Sequence, residues 1–237
     1  MPHNPIIVAL DVDSAEAARQ IVERLGETIS FYKVGLELYA AAGMTFVHEL
    51  VGRGKQVFLD LKLYDIGETV KRATAQVARS GARFLTVHGS RAVMQAAVEG
   101  RGASPLKLLA VTVLTSFDQD DLADLGYPCA VADLVSLRVR KATEAGMDGI
   151  VCSPLEVAAV RSLAPRAILV TPGVRSLGVG KADQKRVATP AEAIRAGADY
   201  LVVGRQITRA EDPRREALRI LAEIESARRA APVPGET

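Results

Sequence analysis

The chain has 237 residues, 49% of them apolar and 24% charged, the composition of an ordinary globular protein at a length that fits one large domain or two small ones. Thirty Lys and Arg against 28 Asp and Glu leave a net charge of +2, too balanced for a nucleic-acid or anionic-membrane partner, so a small molecule is the expected ligand. Met1-Pro2-His3-Asn4-Pro5 carries no basic leader and the apolar run 6–10 stops at Asp11, so neither secretory signal nor membrane span is expected and the protein reads as cytoplasmic.

In chain order, apolar and β-branched runs occupy residues 6–10, 31–35, 57–61, 84–87, 108–114, 149–152, 168–171 and 200–203. They are continuous rather than alternating, the pattern of strands covered on both faces of a parallel sheet. Helical spacing of apolar residues follows them at 15–25, 38–51, 70–80, 92–99, 130–145, 156–163, 191–196 and 213–228. Ser14 is placed to cap the first helix, and Gly81, Gly146 and Gly197, with Gly52 or Gly54 less cleanly, fit C-terminal caps. Strict strand-helix alternation without a linker predicts a single-domain (β/α)8 TIM barrel over 1–237, with a doubly wound open sheet as the alternative. The tail 229–237, rich in Ala, Pro and charge, is expected to fray. Cys129 and Cys152 lack metal or redox spacing and are expected to be inert thiols.

The residues at or just past the strand ends are Asp11, Lys33, Asp60 with Lys62, His88, Thr115, Ser153, Pro172-Gly173 and Gly204-Arg205. Nearly all are polar or backbone donors, and in a barrel they surround one mouth, where active sites of this architecture are built. The third strand is the most informative, running Val57-Phe58-Leu59-Asp60-Leu61-Lys62-Leu63-Tyr64-Asp65. Side-chain alternation sends Asp60 and Lys62 to one face and Leu59, Leu61 and Leu63 to the other. Desolvating such charges costs several kcal/mol, roughly, per ion unless pairing offsets it, which points to function rather than stability.

Gly204 and Arg205 after the eighth strand suit a phosphate dianion. Residues 171–185 form a long glycine-containing stretch without helical pattern, of the kind that serves as a lid, from which Arg175 and Gln184 reach the same phosphate; Lys181 and Lys185 read as solvated charges. Plainer readings stand beside these. Asp65 and Glu68 have capping-box spacing, Asp11 has the position of a cap, Lys33 has the stem to snorkel, and His88 reads as a hydrogen-bonded structural histidine.

The chain resembles bacterial-type orotidine 5′-phosphate decarboxylases over residues 5–212. The resemblance rests on Ala9-Leu10-Asp11, Tyr32-Lys33-Val34-Gly35, Asp60-x-Lys62-x-x-Asp65-Ile66, Leu114-Thr115-Ser116, Thr171-Pro172-Gly173-Val174-Arg175, Asp183-Gln184-Lys185-Arg186 and Val203-Gly204-Arg205. It implies a charge network of Lys33, Asp60, Lys62 and Asp65, with Asp65, Ile66 and Thr69 supplied by the partner subunit of a homodimer. It further implies that Asp11 holds ribose hydroxyls, Thr115 and Ser116 the pyrimidine edge, and Arg175, Gln184, Gly204 and Arg205 the phosphate of orotidine 5′-phosphate. Gln206 departs from the family, which usually has Pro there, and 178–182 also differs.

The chemistry fits that resemblance. Loss of CO2 from C6 leaves an in-plane carbanion without π delocalisation, for which other decarboxylases recruit an organic electron sink. The sequence offers instead an ammonium, Lys62, to stabilise the charge and donate a proton, so neither cofactor nor metal is expected. Metal-dependent sugar-phosphate relatives carry an acidic metal ligand on the second strand where this chain has Lys33, a cation that opposes a divalent ion. A Schiff-base aldolase needs a neutral Lys62, which Asp60 and Asp65 disfavour. A non-catalytic phosphate sensor is at odds with an intact charged set.

Overall fold

A computed structural model describes residues 4–176 and 187–229. Eight parallel strands, β1 (Ile6–Ala9), β2 (Phe31–Gly35), β3 (Gln56–Leu63), β4 (Phe84–Val87), β5 (Lys107–Val111), β6 (Gly149–Val151), β7 (Ile168–Thr171) and β8 (Tyr200–Val203), close in sequence order, β8 pairing back onto β1. The helices are α1 (Ala15–Leu25), α2 (Leu36–Gly52), α3 (Gly67–Ala78), α4 (Arg91–Arg101), α5 (Gln119–Asp124), α6 (Val131–Glu144), α7 (Val157–Leu163), α8 (Pro190–Arg195), α9 (Arg205–Thr208) and α10 (Pro213–Arg229). The barrel is the predicted one, and the open-sheet alternative is set aside because the sheet has no edge.

Strand periodicity divides the apolar residues into two cores. Ile6, Val8, Leu10, Val57 and Leu59 face outward and pack with Ile21, Leu38, Val77 and the other helical residues. Ile7, Ala9, Phe31, Phe58, Phe84, Leu109, Val170, Tyr200 and Val202 fill the barrel. Continuing the inward series one step, 9 to 11, 31 to 33, 58 to 60 and 202 to 204, replaces apolar side chains by Asp11, Lys33, Asp60 and Gly204 at the C-terminal mouth. At the opposite end the rings of Phe31, Phe84 and Tyr200 meet at centroid distances of 5.1–5.7 Å. The Arg83 guanidinium lies over all three and bonds Gln56 and the Tyr200 hydroxyl.

Several element boundaries differ from expectation for local reasons. The fifth strand ends at Val111 rather than 114, because β6 stops at Val151 and leaves 112–114 no ladder to join. The third continues to Leu63, which pairs with Val87 across a register shift. The second helix runs through a non-helical Gly43. The capping box of Asp65 and Glu68 does not form: Ile66 occupies the N-cap without a side-chain bond, Asp65 accepts from Ile66 N at 2.6 Å, and Glu68 pairs with Arg72. The short α5, headed by an Asp118/Asp121 capping box, and α9 carry too few apolar repeats to show in the sequence pattern. Ser14 does cap α1, and Gly54, Gly81, Gly146 and Gly197 hold the positive φ expected past α2, α3, α6 and α8; Gly52 lies within α2. Helix α10 extends through Arg229, the first residue of the tail expected to fray; 230–237 lie outside the described residues. Both cysteines are free, and among the described residues no helix is long and apolar enough to cross a membrane.

Candidate active site

Three adjacent strands build an alternating chain of charge. Lys33 Nζ stands 2.7 Å from Asp11 Oδ1 and 3.7 Å from Asp60 Oδ2, and Lys62 Nζ lies 2.9 Å from Asp60 Oδ1. Lys33 is only 8% exposed, so its ammonium ends inside the mouth and does not snorkel. Asp11 is taken up by this pairing while Ser14 serves as the cap. Burial alone would push the Asp60 carboxyl up, but Lys33 and Lys62 and the hydrogen bonds from Lys62 and Thr86 outweigh it and hold the group below its usual range.

Simple alternation does not deliver Lys62 to this place. Its backbone sits at φ 48°, the left-handed region, and it is the one non-glycine with positive φ among the described residues. The register shift between Leu59 and Leu63 accommodates this turn of the chain. Its N–H is taken by the hydroxyl of the buried Thr86, which also donates to Asp60 Oδ1. A lysine held there costs on the order of 1–3 kcal/mol of local strain, and such outliers concentrate where a side chain must be aimed. Gly35 belongs to the same construction: a Cβ there would stand 2.8 Å from Lys33 Nζ and 3.1 Å from Asp11 Oδ1.

The charged chain forms one wall of an open cavity of about 460 Å³. Thr115, the Pro172-Gly173 turn, Arg175, Gly204 and Arg205 complete its lining, Gly204 and Arg205 following β8, the strand that pairs with β1. Among the described residues the buried Arg175 Nε has no hydrogen-bond partner. Burial, then the charge of Arg205, pulls its proton affinity below that of a free guanidinium. Two guanidinium groups lining one cavity with the ammonium groups of Lys33 and Lys62 make a receptor for a dianion.

A family model described as orotidine 5′-phosphate decarboxylase / HUMPS family matches residues 4–220. The chain belongs to that family. It is 53% identical over 224 residues to the orotidine 5′-phosphate decarboxylase of Rhodopseudomonas palustris (strain ATCC BAA-98 / CGA009), covering 94% of each chain. It is 53% identical to the enzyme of the same name from Caulobacter vibrioides (strain NA1000 / CB15N), covering 92% of this chain and 96% of that one. Among solved structures it is similar to orotidine 5′-phosphate decarboxylase from Lactobacillus acidophilus, with a TM-score of 0.81 at 37% identity over 94% of this chain and 99% of that one.

Of the residues singled out for this family, Asp11, Lys33, Asp60, Lys62, Thr115, Arg175, Gly204 and Arg205 line the one cavity. Asp65, Ile66 and Thr69 do not; all three are exposed, and Asp65 makes no ion pair with Lys62 of its own chain. Ser116 follows Thr115 but lies outside the lining set. Gln184, Lys181 and Lys185 lie outside the described residues, as does most of the stretch read as a lid. His88 makes no side-chain hydrogen bond among the described residues: its ring meets Tyr64 edge-on at 5.8 Å, and burial, then Arg138 and Lys62, lower its proton affinity. Sequence reasoning missed Thr86, whose inward parity two residues after Phe84 was the available signal. It also missed Glu37, Thr208 and Arg209 at the rim.

Proposed function

We propose that this chain, as one barrel domain, decarboxylates orotidine 5′-phosphate to uridine 5′-phosphate, a step of de novo pyrimidine biosynthesis, without metal or organic cofactor. The observation that carries this reading is the Asp11, Lys33, Asp60, Lys62 chain of charge sharing one cavity with Arg175 and Arg205. With phosphate held by Arg175, Gly204, Arg205 and Gln184, and the pyrimidine edge by Thr115 and Ser116, C6 falls at the Lys62 end. Asp11 and Lys33 then meet the ribose hydroxyls.

The C6–carboxylate bond breaks, its electron pair remains on C6, and CO2 departs. Lys62, kept charged by Asp60, stabilises that pair at close range and gives C6 its proton. Solvent reprotonates the amine. Asp60 stands beside the departing carboxylate, and a carboxylate already committed to two ammonium groups does not reorganise as charge moves. Phosphate binding remote from C6 supplies the energy that holds this arrangement.

A homodimer in the cytoplasm completes the site, with Asp65, Ile66 and Thr69 of each subunit reaching the other's cavity. Support comes from exposure: Tyr64 is 69% and Ile66 72% exposed, beside an apolar groove of about 830 Å³ lined by Phe117, Leu122, Leu125, Tyr127 and Leu137. The metal-dependent branch of the family is disfavoured by Lys33, whose ammonium already lies between the two acids a divalent ion would need.

Loss of orotidylate absorbance with purified protein tests the reaction. Dialysis against chelator is expected to leave the rate unchanged; a large drop restored by Mg2+ would overturn the metal-free reading. Arg205→Ala is expected to lower kcat/KM by roughly 2–5 kcal/mol equivalent on orotidylate, with little loss on the nucleoside lacking phosphate. Equal loss on both would remove Arg205 from the phosphate site.

A further inference from the structure

We infer that Gln206 is a positioning residue for the phosphate site, its side-chain amide fastening the segment that carries Arg175 to the segment that carries Arg205. The inference rests on the reading of those two arginines as phosphate ligands and adds a residue behind them that does not touch the ligand.

Gln206 follows Arg205 directly, and Ser176 follows Arg175 directly. Gln206 Oε1 accepts from Ser176 N at 3.2 Å, while Nε2 donates to Ser176 Oγ at 3.0 Å and to Glu216 Oε1 at 2.8 Å. The amide has only one workable orientation, since the backbone N–H demands an oxygen and the carboxylate demands a donor. The Ser176 hydroxyl, 3% exposed, passes the connection on by donating to Glu223 Oε2 at 2.8 Å. Both carboxylates belong to α10, and each has further partners: Glu216 holds Arg219, and Glu223 Oε1 accepts from Ala191 N of α8. One neutral side chain thus joins the loop after β7 to α9 and α10.

The need for such a fastening lies in the charges it supports. Arg175 and Arg205 bear on the same cavity, and like charges at close quarters in a partly desolvated site drive their backbones apart unless something holds them. A positive group used as a brace would worsen the repulsion, and a carboxylate in direct contact would occupy the guanidinium that a phosphate needs. Gln206 does neither. It grips the residue next to Arg175 through a backbone N–H and a hydroxyl, and the acids stand one layer behind.

The test uses the full chain and three measurements: kcat and KM on orotidylate, competitive inhibition by inorganic phosphate, and thermal melting without ligand. Gln206→Met keeps length and removes every hydrogen bond. It is expected to raise both KM and the phosphate inhibition constant about tenfold while kcat changes less than threefold. Its kcat/KM loss on the phosphate-free nucleoside is expected to be several-fold smaller than on orotidylate. Unchanged phosphate inhibition, or equal losses on the two substrates, would overturn the assignment. Should Gln206→Met not fold, Ser176→Ala removes the shared hydroxyl with less disturbance; a two- to fourfold weakening of phosphate supports the clamp and an unchanged constant overturns it. Arg205→Ala separates the layers of the argument. If it leaves phosphate inhibition intact the phosphate reading itself fails, whereas normal loss there with no effect at Gln206 refutes the positioning role alone.

Discussion

One oxygen of Thr86 ties Asp60 to Lys62: the hydroxyl donates to the Asp60 carboxylate at 3.0 Å and accepts from the Lys62 backbone N–H at 2.9 Å. It replaces the ladder bond lost where β3 shifts register and aligns the proposed proton donor and the carboxylate paired with it at once. Thr86→Val keeps the shape and removes the oxygen, leaving a buried N–H and a buried carboxylate each one partner short. A stability loss of about 1–3 kcal/mol in urea unfolding is expected, together with a fall in kcat larger than any change in KM. Thr86→Ser restores most of both. A Val variant with wild-type kcat would show that the tie does no aiming.

Lys62 combines a chemical role with a strained backbone, and two substitutions separate them. Lys62→Ala and Lys62→Gly both lack the amine and are expected to show no measurable turnover with the barrel intact by circular dichroism. Only glycine relaxes φ 48°, so Lys62→Gly should be about 0.5–1 kcal/mol more stable than Lys62→Ala, the reverse of the usual order of these residues in a strand. An alanine variant at least as stable as the glycine one would mean that the backbone is not strained.

Asp65 cannot cap its own helix in the expected way and does not reach its own Lys62, which sharpens a complementation experiment. Lys62→Ala and Asp65→Ala proteins, each nearly inactive, are mixed under conditions of subunit exchange. A site built from two chains gives each mixed dimer one intact site, and random reassortment puts about half the dimers in that form. Activity should rise toward about one quarter of wild type. No recovery with exchange verified by mass would assign Asp65 to its own subunit.

The depressed proton affinity of Asp60 links stability to pH. Its carboxyl titrates below the usual 3.8 in the folded chain, so the unfolded chain takes up its proton first as acid is added. The contribution is therefore fully present above the unfolded value and is lost as pH falls from about 4 through the folded value. Urea unfolding of wild type and Asp60→Asn, followed from about pH 6 downward, is expected to show the steeper acid loss in wild type below about pH 4. Parallel curves would contradict the shift.

The barrel was readable because both its periods are strong: eight buried apolar runs and the helices between them survive small errors at their ends. Asp11, Lys33, Asp60 and Gly204 were readable for a related reason, since each continues an inward series past the point where the core stops. What the sequence hid depends on departures from regularity. Alternation put Lys62 on the same side as Asp60, which is right about the contact and wrong about its cause, because a register shift and a left-handed residue lie between them. Asp65 and Glu68 matched a capping box whose geometry the chain does not adopt, since Ile66 occupies the N-cap position and Asp65 bonds to its neighbour. Thr86 and Gln206 act through partners far off in sequence; parity marks Thr86 as inward but not what it binds, and no local pattern marks Gln206.

The arginine and three rings at the base of the barrel govern traffic. Phe31, Phe84 and Tyr200 are each no more than 6% exposed, and Arg83 closes the floor over them. None of these four lines the cavity, so among the described residues packed side chains close the base of the barrel beneath it. Under the proposed reaction, substrate arrival, escape of CO2 and departure of the nucleotide share the C-terminal mouth lined by Asp11, Asp60, Arg175 and Arg205. A product of that reaction still seated there excludes the next substrate, so its inhibition is expected to be competitive.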